Sequence, residues 1–96
     1  MRYAAKVDAN QPEIVAALRK VGASVQSLAA VGTGVPDLLV GYRNQNHLLE
    51  VKDGGKVPSA RLLTADQLGW HANWSGPVSI VYCIDDALRA IGAVSE

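Results

Sequence analysis

Several residue types are scarce in this 96-residue chain, and each scarcity limits the kind of core, cross-link or metal site that the chain can form. Phenylalanine is absent and aromatic residues make up only 5% of the chain, so leucine, valine, isoleucine and alanine must fill the core. The single cysteine, Cys83, excludes an internal disulfide, and its place in the apolar run VSIVYCI predicts a buried core residue. The histidines, His47 and His71, lack metal-ligand spacing with each other or with Cys83, which argues against a zinc site.

Long apolar runs and a charge excess are also missing. No run approaches the ~20 residues that cross a bilayer, so we expect no membrane association. The N-terminal segment MRYAAKVDAN has no apolar signal-peptide region, which predicts a reducing, cytoplasmic location. Nine Lys and Arg residues balance nine Asp and Glu residues, so the formal net charge is zero. Domains that bind nucleic acid usually carry an excess of basic residues, and this sequence has no such excess.

Apolar periodicity and turn residues divide the chain into helices and strands, with no repeat or linker between them. We predict one domain over residues 1–96, with a mixed sheet and helices packed on it. The predicted helices cover residues 10–21, 64–74 and 85–92, with Asn10, Thr64 and Asp85 as N-caps. The predicted strands cover residues 23–31, 37–43, 46–53 and 78–84, the last central or covered on both faces.

The hairpin GVPDLLVGYRNQNHLLEVKDGG carries three charges in strands that are otherwise apolar. If its turn centres between Asn44 and Gln45, Asp37 lies opposite Lys52, and Glu50 lies on the same face. Directly opposed side chains share a face, and side chains alternate along each strand. The two acids and the lysine are therefore predicted to converge on one patch of the sheet.

Two carboxylates at this separation are suited to hold a divalent cation. Hard ions such as Mg²⁺ bind one or two carboxylates together with waters and substrate phosphates. An alternative is a solvated strand face with an Asp37–Lys52 ion pair, which would add little stability. The apolar neighbours and the spacing of Pro-Asp and Glu-x-Lys across one hairpin favour the metal site.

These segments resemble a known family. GVPDLLVG and LLEVKDG resemble the PD-(D/E)XK nuclease motif, with Pro36-Asp37 and Glu50-Val51-Lys52 as its halves. LLTADQLGWHANW resembles the helix that follows this motif in the virus-type replication-repair nuclease branch, VRR-NUC. The resemblance covers most of the chain. It implies an α/β restriction-endonuclease-like core of helix, three strands, helix and strand, here with a short C-terminal helix.

The same resemblance implies an activity. Members hydrolyse phosphodiester bonds in DNA with Mg²⁺ or Mn²⁺, and some relatives act as homodimers on branched DNA such as Holliday junctions. Small members are phage-like single domains, which implies a bacterial or phage-infected cytoplasm. We therefore expect a metal-dependent endonuclease with duplex or branched DNA as partner.

Residue roles follow from the match. The resemblance assigns the metal to Asp37, Glu50 and the main-chain carbonyl of Val51. A lysine between two acids should stay protonated, so Lys52 is favoured as an electrostatic stabiliser over a free general base. A cation so placed would stabilise the charge that develops on the phosphate during cleavage.

Two more matching positions are ambiguous. Glu13 corresponds to a helix acid that joins the metal in many relatives, yet Asn10-x-x-Glu13 is also a capping-box pattern. Gln67 corresponds to a glutamine beside the active site, yet Thr64-x-x-Gln67 is a capping box as well. Both alternatives stay open from the sequence.

The remaining candidates concern DNA and assembly. If the metal absorbs three of the nine acids, the nine bases exceed the remaining acids by three. Lys56 and Arg61, in the loop after the motif, are then predicted to contact DNA phosphates, although a solvated loop is the alternative. His71, Trp70 and Trp74 share a helix face with Gln67, and the tryptophans are predicted to make packing or dimer contacts in preference to stacking on bases.

Other classes of function fit the same hairpin. A domain of this fold that binds nucleic acid or protein without catalysis is one alternative. A structural α/β domain whose hairpin charges form an ion-pair network is another. The intact set of Asp37, Glu50 and Lys52 favours the enzyme, because a silent domain has no need of buried charges.

Overall fold

The computed structural model describes residues 7–94, and its elements follow the order that the sequence predicts. The helices are α1 (Gln11–Lys20), α2 (Ala65–Asn73) and α3 (Ile84–Ala90). The strands are β1 (Ser24–Ser27), β2 (Leu38–Tyr42), β3 (Gln45–Val51) and β4 (Ser79–Val81), and a 3₁₀ helix covers Pro58–Arg61. The part of the signal-peptide prediction that rests on residues 1–6 lies outside the described residues. No helix within residues 7–94 is long and apolar enough to cross a membrane.

The four strands form one mixed sheet in the order β1-β2-β3-β4. The first three are antiparallel neighbours, and β4 pairs in parallel with β3 after a crossover through α2. The predicted mixed α/β class is therefore confirmed. The prediction of a central fourth strand is wrong, because β4 lies at the edge of the sheet and ends at Val81.

The core lies on one face of the sheet, where apolar side chains of β2 and β3 meet α1 and α3. Ile14 and Leu18 are fully buried and lie four residues apart, so one stripe of α1 faces the sheet. The buried core consists of Ile14, Leu18, Ala23, Leu38, Val40, Leu49, Val51, Val81, Ala87 and Ile91. Alternation along β2 and β3 turns the other side chains of these strands to the opposite face.

Three local predictions about element ends are wrong. Cys83 is exposed, because β4 ends before it and the residue occupies the N-cap position of α3. Asp85 therefore lies inside the first turn of α3 and does not cap it. Asn10 precedes α1 with a helical backbone and makes no capping hydrogen bond with its side chain.

The hairpin register differs from the predicted one by two residues. The turn is Arg43-Asn44, both with positive φ (49° and 67°), as in a two-residue type I′ turn. Tyr42 therefore pairs with Gln45, and the register continued past β2 brings Asp37 level with Glu50 instead of Lys52. A shift of two residues is one full side-chain period, so the predicted grouping on one face survives.

Candidate active site

Asp37 and Glu50 meet on the sheet face away from the core. Asp37 directly precedes β2, and its Oδ2 accepts a 2.7 Å hydrogen bond from the main-chain N–H of Val51. Glu50 lies in β3, and only 1% of its surface is exposed. The hairpin therefore holds one carboxylate against the strand that carries the other.

Gln67 of α2 connects this strand to the helix above it. Its Nε2 donates to Glu50 Oε2 at 3.2 Å, and its Oε1 accepts from Lys52 Nζ at 2.7 Å. The same Oε1 accepts from the main-chain N–H of Thr64 at 2.9 Å, while Thr64 Oγ1 accepts from the main-chain N–H of Gln67. The capping box and the contact with the site thus both exist, and one side chain serves both.

Lys52 is held at its side chain and at its main chain. It is 8% exposed although it carries a charge, and its Nζ is directed to Gln67. Its N–H donates to the carbonyl of Val81 at 2.9 Å, and its carbonyl accepts from Asn10 Nδ2 at 3.2 Å. A buried ammonium with so many fixed contacts has a defined position beside the carboxylates.

The charged form of Glu50 is unfavourable in this environment. Burial, followed by the neighbouring Asp37 carboxyl group, raises the pKa of Glu50 to about 9. Lys52 opposes this shift without cancelling it. In addition, Glu50 Oε1 is buried without a hydrogen-bond partner. A divalent cation would supply both the missing charge and the missing partner.

The donors suit a hard divalent ion. Two carboxylates supply oxygen ligands, the resemblance adds the carbonyl of Val51, and water usually completes the coordination of Mg²⁺. Within residues 7–94, no three His, Cys, Asp or Glu side chains converge as a ready-made metal cluster. The residues present therefore fit an ion that keeps several waters, and they do not form a closed structural metal site.

His71 lies one turn beyond Gln67 on α2 and contacts the same glutamate. Its Nε2 is 3.6 Å from Glu50 Oε1, and its side chain is 14% exposed. Burial, and then the charge of Lys52, lowers the pKa of His71 from 6.5, which favours the neutral imidazole. The contact is therefore not an ion pair, because neither partner carries its full charge near neutral pH.

Glu13 does not join this cluster. It is exposed in the first turn of α1, and among residues 7–94 no hydrogen bond or ion pair connects it with Asp37 or Glu50. Its metal role stays a prediction. The alternative capping box is not formed either, because Asn10 directs its side chain to the carbonyls of Lys52 and Tyr82.

Two residues near the site were not foreseen. The charge of Asp8 contributes to the raised pKa of Glu50, and its Oδ1 lies 3.4 Å from Lys56 Nζ. Nothing in the sequence marks Asp8, because its position depends on how α1 packs on the sheet. Asn10 did give a signal, but a residue of this type before a helix is usually a cap.

The predicted DNA-contacting residues lie in the loop that follows β3. Lys56 is exposed and pairs with Asp8, a contact that water and salt weaken. The guanidinium carbon of Arg61 lies 5.6 Å from the ring centre of Tyr82, and Arg61 is half-buried. Each of these cations therefore already has a neighbour, Asp8 for Lys56 and Tyr82 for Arg61.

A glycine brings the Asp37 loop against α2. Gly34 has φ +85°, and a Cβ atom added there would overlap the carbonyl oxygen of Asp66 and lie 2.8 Å from the main-chain nitrogen of Gln67. Any side chain at this position would push the loop and the helix apart. The close approach therefore sets the distance between the elements that carry Asp37 and Gln67.

An apolar groove lies beside the site on the same sheet face. Trp70 and Trp74 stack with ring centres 4.7 Å apart, and Trp74 is 48% exposed. The groove, a cavity of about 560 Å³, is lined by Leu28, Val35, Leu39, Asn46, Leu48, Trp70, Trp74, Gly76 and Pro77. Exposed tryptophan over an apolar groove is typical of a contact surface.

No family model, no curated protein and no solved structure matches this chain. The inference of function therefore rests on the residues of the site. Hydrogen bonds or charge contacts connect Asp37, Glu50, Lys52 and Gln67.

Proposed function

We propose that this protein is a Mg²⁺- or Mn²⁺-dependent DNA endonuclease of the PD-(D/E)XK type. The observation that carries the proposal is the buried carboxyl group of Glu50 beside Asp37, with the side chain of Lys52 held near Glu50 by Gln67. A buried acid beside a second carboxylate is unfavourable without a cation, and the pattern suits a site that is complete only with a metal and an anionic substrate.

The restriction-endonuclease-like core and the VRR-NUC assignment belong to this proposal. They are supported by the order of helix, three strands, helix and strand, and by the position of the acids at the β2–β3 hairpin. They are also supported by Gln67, which contacts Glu50 and Lys52 from the helix after the motif.

The chain's own residues would divide the work as follows. Asp37, Glu50 and the carbonyl of Val51 would hold the cation, which supplies a lowered pKa for bound water and charge stabilisation at the phosphate. Lys52, fixed by Gln67, would stabilise the negative charge that develops on the phosphate oxygens. The main-chain N–H of Val51 holds the Asp37 carboxylate in position during the reaction.

Duplex or branched DNA is the proposed partner. Lys56 and Arg61 would contact the backbone beyond the scissile phosphate, which predicts binding that weakens with salt and does not depend on base sequence. Lys56 would have to exchange Asp8 for phosphate, since the two now form an ion pair at 3.4 Å. We also propose a homodimer that forms through the apolar groove beside α2. The two-fold symmetry of such a dimer would suit a four-way junction.

The test is incubation of the purified protein with labelled linear duplex and labelled four-way junction, each with Mg²⁺, with Mn²⁺ and with a chelator. We expect cleavage of at least one DNA, dependent on the cation. Cation-bound, folded protein that binds these DNAs and cleaves none would instead favour a silent binding domain.

A further inference from the structure

Two buried polar atoms without hydrogen-bond partners face each other at the site. They are Glu50 Oε1 and His71 Nε2, 3.6 Å apart. Buried polar atoms almost always have a partner, and 3.6 Å is too long for a hydrogen bond between these two. The arrangement therefore calls for a third atom between them.

The separation fits a shared cation. Oxygen and imidazole nitrogen ligands each lie about 2.1 Å from a first-row metal ion, so two ligands of one ion are at most about 4.2 Å apart. The 3.6 Å between Glu50 Oε1 and His71 Nε2 is within that limit. Imidazole nitrogen is a common metal ligand, and the His71 side chain is only 14% exposed.

The helix supports this geometry from the protein side. Gln67 and His71 are four residues apart on α2, so they project from one face of the helix. Gln67 binds one oxygen of Glu50, and His71 is directed to the other. One helix face thus fixes the carboxylate and leaves its other oxygen 3.6 Å from an imidazole nitrogen, with no hydrogen bond between them.

We propose that His71 is a ligand of the cation that binds at Glu50, and that it makes the site prefer Mn²⁺ over Mg²⁺. Imidazole suits first-row transition ions, whereas Mg²⁺ prefers oxygen ligands. The inference uses the proposed function only in requiring a cation at Glu50, and it does not require DNA cleavage.

Electron paramagnetic resonance of the Mn²⁺-loaded protein tests the ligand directly. The electron spin echo of bound Mn²⁺ should show coupling to a ¹⁴N nucleus, and the coupling should disappear in His71→Gln. Loss of free-ion signal on titration gives the dissociation constant, which we expect to rise at least about tenfold for Mn²⁺ in His71→Gln, since even outer partners of a ligand change affinity 10–100-fold. The affinity for Mg²⁺ should change much less.

His47→Gln is the matched control, because it alters the chain's other histidine, on the core side of β3. It should keep the nitrogen coupling and the affinity. Bound Mn²⁺ without nitrogen coupling in the wild-type protein would overturn the inference, and that result needs no variant to fold. If such a protein still cleaves DNA, only the role of His71 is lost; if Mn²⁺ does not bind at all, the proposed function is lost as well.

Discussion

The side-chain oxygen of Gln67 accepts a 2.7 Å hydrogen bond from the ammonium group of Lys52. This bond connects the first turn of a helix to the strand that carries the proposed catalytic charges. Because the same oxygen also caps α2, stability and activity are coupled at one residue, and a matched pair of substitutions can separate them.

Gln67→Ala should lower both stability and activity. Loss of the capping contact should destabilise the fold by about 1 kcal/mol, and release of Lys52 should reduce the cleavage rate about 10–100-fold. Thr64→Ala is the control, because it removes the other half of the capping box and does not touch Lys52. Equal loss of cleavage in the two variants, measured with urea unfolding alongside, would contradict a positioning role for Gln67.

Stability should fall with rising pH when no divalent cation is present. The pKa of Glu50 is about 9 in the folded protein and has an ordinary value of 4.5, so the folded state holds this proton more tightly than the unfolded chain. The contribution is fully present below about pH 4.5 and is lost as the pH rises towards 9. Urea midpoints measured from pH 5 to 9 should show this decline, and Mn²⁺ should reduce it.

Glu50→Gln is the control for this titration, because it keeps a neutral group at the position. His71 acts in the opposite sense: its pKa is lowered, so its contribution is present above about pH 6.5 and is lost as the pH falls. The difference between wild-type protein and Glu50→Gln therefore isolates the glutamate. Identical pH slopes for the two proteins would show that Glu50 does not titrate as described.

Gly34→Ala should disturb the site from outside it. The added Cβ meets the main chain of Asp66 and Gln67, and the positive φ adds strain of roughly 1–2 kcal/mol. Gly32→Ala provides the comparison, since Gly32 also has a positive φ (+71°) but nothing within 4 Å of an added Cβ. We expect Gly34→Ala to be the more destabilising and the only one to reduce cleavage; equal urea midpoints would contradict the close approach.

Trp74→Ser should separate a homodimer into monomers. Trp74 is exposed over the apolar groove, and a tryptophan at the centre of an interface commonly contributes about 2 kcal/mol or more. Leu62→Ser removes a side chain that is even more exposed but outside the groove, and it should leave assembly unchanged. A wild-type protein that sediments as a monomer at tens of micromolar would argue against the dimer.

The grouping of the hairpin charges on one sheet face could be predicted from the sequence, because side-chain alternation along a strand is unaffected by a two-residue error in register. The sequence predicts the turn one residue too late, which shifts the pairing by two residues and gives Asp37 the wrong partner. A two-residue shift returns each side chain to its own face, so the acids and Lys52 still share one face of the sheet. The capping box at the start of α2 could also be predicted, because both of its hydrogen bonds join Thr64 and Gln67, three residues apart in the sequence.

Features that depend on tertiary packing could not be predicted. Asp8 comes near the site because the segment before α1 lies against the ends of β3 and β4, where Asn10 binds the carbonyls of Lys52 and Tyr82, and no local pattern records that contact. The apolar run around Cys83 predicts a strand over residues 78–84, central or covered on both faces, yet β4 ends at Val81 and α3 begins at Ile84. The opposition of His71 and Glu50 likewise depends on how α2 lies across the sheet.

Asp37, Glu50 and Lys52 are proposed to form one catalytic site. Single-turnover cleavage of labelled DNA by isosteric variants measures whether all three residues take part in the reaction. Asp37→Asn, Glu50→Gln and Lys52→Met should each reduce the Mn²⁺-dependent rate by about 100-fold or more while circular dichroism stays unchanged. Asp85→Asn, an exposed acid on α3 across the sheet, should cleave at the wild-type rate. Wild-type rates in the first three variants would contradict the proposed site.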